Sequence, residues 1–115
     1  MNFADVVKTN DSYMFKNWLD KVYSGEITGD IFAQEPSFDD IPLERQAYWA
    51  GVAHHISNIL NIPPPKWVFK DKYFLDEPLF GMNAKGMLRL VLLVESPTAF
   101  RIRNIFVSEN ALSRV

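Results

Sequence analysis

From Pro42 to Asn61 the apolar positions recur as a helix requires, in the longest uninterrupted pattern of the chain. Pro42 suits a first helical turn, where its missing N–H costs nothing, and Leu43 to Leu60 then runs without proline or a turn cluster. That length is about five turns. Trp49, Val52, Ile56, Ile59 and Leu60 fall on one side, with Ala47, Ala50 and Ala53 on a flank where another helix can come close. The opposite stripe is Glu44, Tyr48, Gly51, His55 and Asn58. The pattern predicts a broad core face and a narrow polar face notched at Gly51, the notch admitting a neighbouring helix or loop.

Upstream, Asn2 to Lys8 predicts a short helix with Phe3, Val6 and Val7 inward. Asn10 or Asp11 then caps a second helix from about Ser12 to Tyr23, with Met14 or Phe15, Trp18, Leu19 and Val22 at helical spacing and Gly25 at its end. From Glu26 to Ile41 glycines and Pro36 interrupt any period, so a long acidic loop is expected, tied down by Ile31, Phe32 and Phe38. Asp39 and Asp40 stand where negative charge favours the N-terminus of the central helix, and capping is their expected role.

Downstream, Pro63 to Pro65 form a stiff extended stop. The aromatic segment Trp67 to Phe80 reads as one strand-like piece and one short helical turn. It is either a lid closing the core or an aromatic surface for a partner. Asn83 is placed to cap a third long helix, Ala84 to Glu95, apolar nearly all round, with Lys85 and Arg89 one turn apart on its exposed side. Residues 87–94 also fit a buried strand by composition, but no matching strand is evident elsewhere and helix is preferred. Ser96-Pro97 reads as cap and first turn of a helix over Thr98 to Asn104, Ile105 to Val107 as an apolar link, and Ser108 as the cap of a last helix, Glu109 to Arg114. The expectation is an all-α fold, a compact single domain spanning residues 1–115, with about four to six helices around the central one near 42–60.

Composition agrees with a packed core: 48% of residues are apolar, and nine Phe, four Tyr and three Trp supply its bulk. Without cysteine there is no disulfide, Cys-zinc site or thiol nucleophile, and a cytoplasmic location becomes the default. The N-terminus lacks the basic start and apolar run of a signal peptide, and no apolar run is long enough for a membrane span. The net charge of −2 divides unevenly: residues 1–80 carry 7 basic and 12 acidic side chains, whereas residues 81–115 carry 5 basic and 2 acidic. Either the halves attract each other within one fold, or the basic end meets an acidic partner or a phosphate backbone.

Candidate chemistry is sparse. His54 and His55 are adjacent and point about 100° apart on a helix, so they cannot close on one metal, and no other His remains. His54 is expected at the edge of the core, held by a backbone carbonyl. His55 shares the polar stripe with Glu44 and Tyr48, which would permit acid-base chemistry in a small hydrolase or transferase. Tyr48 and His55 are two turns apart, so a substrate would have to bridge them. No Gly-rich phosphate loop, G-x-S-x-G elbow or zinc signature is present, and neither cofactor nor metal is expected. Arg89, Arg101 and Arg103 around the Ser96-Pro97 turn suggest a DNA-reading arrangement, against which stand the short glycine-free turn and a pI of about 5.6.

The alanine-rich central helix, Pro65-Lys66-Trp67, Leu79-Phe80, the run Ser96-Pro97-Thr98-Ala99-Phe100-Arg101-Ile102-Arg103-Asn104-Ile105-Phe106-Val107 and the terminal Asn110-Ala111-Leu112 resemble a small uncharacterised bacterial helical domain. That domain occurs alone or behind helix-turn-helix DNA-binding domains, sometimes beside a toxin gene. The resemblance covers roughly residues 30–115 and brings no catalytic residues; a separate N-terminal DNA-binding domain is not evident here. It implies a non-enzymatic module that binds another protein, an antitoxin-like partner of a toxin, with a homodimer as the other assembly. An aromatic anchor with a charged rim would then be Trp67, Phe69, Tyr73 and Phe80 with Arg89, Arg101 and Arg103.

Overall fold

The computed structural model describes residues 2–9, 11–27, 31–81 and 85–108. In chain order these form α1 (Phe3–Thr9), α2 (Ser12–Tyr23), α3 (Leu43–Ile59), two 3₁₀ turns (Lys66–Phe69 and Asp71–Tyr73), β1 (Leu79–Phe80), α4 (Met87–Glu95), α5 (Thr98–Arg101) and β2 (Ile105–Phe106). The fold is all-α, with α3 at its centre. No helix among the described residues is long and apolar enough to cross a membrane.

Local sequence sets most helix ends. The Asn2 side chain accepts from the Asp5 N–H (2.9 Å) and the Asp5 carboxylate from the Asn2 N–H (3.2 Å), a reciprocal cap that starts α1. Asp11 caps α2 by accepting from the N–H groups of Tyr13 (2.8 Å) and Met14 (3.2 Å). At the far end Gly25 takes φ +84°, and Glu26 N–H closes on Lys21 O (3.0 Å). Asn61, at φ +57°, ends α3 in the same way, with Ile62 N–H on Ser57 O (3.0 Å). Pro42 opens α3 without a side-chain cap; Asp40 instead sits at φ +62° in the turn that brings Ile41 N–H to Phe38 O (3.1 Å). The capping role expected of Asp39 and Asp40 is therefore replaced by a turn role.

The core is an aromatic cluster between α1, α2, α3 and the 31–41 loop. Phe3 meets Phe32 edge-on at 4.8 Å and Trp49 at 5.9 Å, and Trp67 donates its indole N–H to Phe32 O (2.7 Å). Ala47, Ala50 and Ala53 are fully buried, as the small-residue flank predicted, whereas Ile59 at the last turn of α3 is half exposed.

The polar stripe of α3 is covered at its middle, while Glu44 and Asn58 at its ends stay exposed. A Cβ placed on Gly51 would lie 2.7 Å from Phe100 Cδ1, so the ring from α5 fills the glycine notch, with Tyr48 stacked on it at 5.7 Å. Only glycine permits this approach.

The C-terminal third departs most from expectation. Ile105 to Val107 is more than a link: Leu79 and Phe80 pair in parallel with Ile105 and Phe106. Residues 87–94 are helical, as preferred, but α4 begins at Met87 after Gly86 (φ +56°), so Lys85 precedes the helix instead of lying on it. Asn83 and the helix expected over Glu109 to Arg114 lie outside the described residues. Ser96 does not cap α5 but ends α4 as its C-cap; its hydroxyl, bonded to Leu92 O (2.5 Å) and Val107 N–H (2.9 Å), ties the end of α4 to the strand. The helix expected to Asn104 stops at Arg101, and Asn104 turns the chain at φ +65°.

Gly51→Ala must push Phe100 out of a fully buried site. Denaturant unfolding should show a loss of about 1–3 kcal/mol, partly recovered when Phe100→Leu is added.

Candidate functional site

Two groupings compete for a functional role: a buried polar centre around Arg103 and an exposed apolar face on α4. The first begins with the short turn of α5, which carries Arg103 inward so that its side chain is 0% exposed. Its guanidinium donates to Ala99 O (2.6 Å), Val68 O (2.6 Å) and His54 Nδ1 (3.0 Å), and it lies over the rings of Phe74 (5.1 Å) and Phe69 (5.7 Å). Arginine only donates, so His54 Nδ1 accepts and the ring proton sits on Nε2. Burial, then the Arg103 charge, then His55 lower the His54 pKa to about 4; burial brings that of Arg103 down to about 10. His54 is thus held by Arg103, not by the backbone carbonyl expected of it.

This centre is a structural tie. It joins α3, the first 3₁₀ turn and α5, and it removes Arg103 from any surface. Trp67 (7% exposed) and Tyr73 (0%) are also interior, so three of the residues expected at a partner surface belong to the core. The aromatic segment is the lid. Tyr73 OH and Lys70 Nζ both bond the Glu35 carboxylate, which pins the acidic loop to the lid. No residue pattern in the sequence points to Glu35.

Tyr48 lines a cavity of about 170 Å³ with Asp11, Ser12, Phe15 and Trp49, and His55 is not among its lining residues. Phe100 occupies the space beside Gly51, and the His55 ring lies 5.8 Å from the same ring that Tyr48 stacks on. Burial raises the Tyr48 pKa and lowers that of His55. Glu44 stays exposed in the first turn of α3. Among the described residues no three His, Asp or Glu side chains stand together as a metal site would need. Of the residues expected around a DNA-reading turn, α5 spans four and Arg103 is buried.

The second grouping is one that the sequence pattern missed. Only Leu92 of α4 is buried, against Phe106 and Phe80. Met87 (74% exposed), Leu90 (56%), Val91 and Val94 (77%) face outward at i, i+3, i+4 and i+7, and Ile102 is half exposed. Arg89 lies over Phe80 at 4.7 Å, and Arg101 donates to Val94 O (2.7 Å) and Ser96 O (2.9 Å) at the C-terminal end of α4. Phe80 and Arg89 thus meet on the Leu92 side of α4, and Arg101 reaches its C-terminal end. The available signal was that a helix apolar all round needs cover on every side, and the described residues cover it on the Leu92 side.

Comparison of the chain with protein-family models, with curated proteins and with solved structures returned no match.

His54 has an ordinary pKa of 6.5 and a folded value of about 4, so folding favours the neutral ring. Its contribution is complete above the ordinary pKa and is lost as pH falls from 6.5 toward 4. Urea midpoints should fall across that window, and His54→Gln, which still offers an acceptor to Arg103, should flatten the fall. Trp67→Ala should cost about 3–5 kcal/mol, read as a large drop in thermal midpoint.

Proposed function

We propose that this protein is a non-enzymatic, cytosolic interaction module whose binding face is α4. The observation that carries the reading is the outward strip of Met87, Leu90, Val91 and Val94. With Leu88 and Leu93 it amounts to on the order of 500 Å² of apolar surface, at the upper end of what a monomer leaves in water. Leaving it bare gains the monomer nothing, whereas covering about 500 Å² at roughly 25 cal/mol per Å² contributes substantially to binding. Arg101 stands at the C-terminal end of the strip, while Phe80 and Arg89 lie on the anchored Leu92 side of α4, so one residue of the expected aromatic and charged rim borders an aliphatic centre that replaces Trp67.

The resemblance to a bacterial domain encoded near toxins supports a toxin as the first partner to test, with this chain in the antitoxin-like role. Phe100 fills the notch between Tyr48 and His55, which tells against a substrate bridging them, and burial of Arg103 removes one of the three arginines of the DNA reading.

The test is co-purification from lysate of the source organism with wild type and Leu90→Asp side by side, followed by reconstitution of any retained protein from pure components. Leu90 is exposed, so the variant should keep its helical circular dichroism while its Kd rises at least about tenfold, near 1.4 kcal/mol. A partner bound equally by both proteins would sink the reading.

A further inference from the structure

The cavity between the start of α2 and the first half of α3 is walled mostly by rings. Of the described residues that line it, Phe15, Tyr48 and Trp49 are aromatic, and Asp11 is the one that carries a charge. Trp49 is buried, Phe15 and Tyr48 are partly buried, and Asp11 and Ser12 are exposed, so Trp49 forms the floor, the other two rings the walls and Asp11 the rim. Both walls stand steeply to the floor: Phe15 crosses Trp49 at 71° with centroids 5.2 Å apart, and Tyr48 crosses it at 66° and 5.5 Å. Each wall is backed by a further ring, Phe15 by Trp18 at 6.2 Å and Tyr48 by Phe100 at 5.7 Å. The box is therefore held in shape before anything enters it. At the rim, both bonds by which Asp11 caps α2 go to Oδ1. Lys16, Glu44 and Arg45, exposed on the same two helices, are not among the lining residues.

Independently of α4, we infer that this cavity is a binding site for a methylated ammonium group. Aromatic faces are negative and attract a cation, most of all one drawn out of water. Rings set at steep angles suit a compact, rounded cation better than a flat guanidinium, which stacks on a parallel face. A primary ammonium is strongly hydrated and brings three donors that rings satisfy poorly. Methylation removes those donors and leaves a charge that ring faces and the Asp11 carboxylate can balance. A metal ion fits badly, since the cavity offers one carboxylate and no three acidic or His side chains stand together among the described residues. Size agrees with a headgroup: at the roughly 30 Å³ that a water takes in the liquid, a cavity of about 170 Å³ has room for about five or six heavy atoms. Trimethylammonium with its first carbon is of that size, so the head enters and the rest of the molecule leaves past Asp11 and Ser12. The group occurs on small quaternary amines such as choline and on trimethylated lysine, and the chemistry that recognises it is the same in both.

The probes are choline chloride and dimethylbutanol, its neutral isostere with carbon in place of nitrogen, titrated into the full chain at constant ionic strength and followed through the Trp49 indole resonance. Choline should bind with a Kd of about 1–10 mM, the scale of a few cation–ring contacts, and the alcohol at least about tenfold more weakly. Asp11→Asn keeps a helix cap of equal quality and removes the charge, while Phe15→Leu keeps apolar bulk and removes one wall. Both variants should retain the wild-type helical circular dichroism and weaken choline binding about three- to tenfold. N-acetyl trimethyllysine amide, titrated alongside, names the source: whichever of it and choline binds more tightly is the form the site takes. Unmethylated lysine amide should bind about tenfold more weakly than the trimethylated form. Equal binding of choline and the alcohol, or choline binding indifferent to both variants, would show a plain apolar cavity and overturn the inference. Equal binding of the two lysine amides would overturn the methylated group. If neither choline nor trimethyllysine amide binds at about 50 mM, the site itself is overturned.

Discussion

A guanidinium sealed from water with no carboxylate beside it constrains everything around it. Arg103 cannot shed its charge as a lysine would, so its burial demands acceptors in fixed places. Ala99 O, Val68 O and His54 Nδ1 supply them from three separate elements, and the faces of Phe69 and Phe74 cover the plane. Displacing any one element leaves the others' polar atoms buried and unpaired. The aromatic lid, the central helix and the α5 turn are therefore positioned together or not at all.

Around that tie the packing is close where side chains are small. Gly51 lets Phe100 lie against the α3 backbone, and this brings α5 near enough for Arg103 to reach His54. The same short α5 places Arg101 at the end of α4, where its charge meets the carbonyls of Val94 and Ser96. Two arginines separated by a single residue thus have opposite fates. One holds the interior together, and the other borders the exposed apolar strip of α4.

Much of the architecture was legible because it rests on local rules. Helices over 12–23 and 43–59, the Asp11 cap, the Gly25 stop and the burial of Ala47, Ala50 and Ala53 follow from spacing, capping and side-chain size alone. The candidate site was less legible. Phe80 and Arg89 meet and Arg101 reaches the end of α4, but Trp67, Tyr73 and Arg103 look like interface residues by type and are core by position. Residue type favours both places, since aromatic and arginine side chains bury large areas in either.

The sequence by itself determined an all-α fold centred on one long helix, because helical periodicity and caps act over a few residues and need no distant partner. Only tertiary structure decided which apolar surfaces are covered. The parallel pairing of residues 79–80 with 105–106 joins segments 26 residues apart in register, and no local pattern encodes it. That pairing sets Phe80 and Phe106 under Leu92, so one side of α4 is anchored and the other faces water. Burial is a property of what lies opposite a residue, and for α4 the described chain places something opposite only one side.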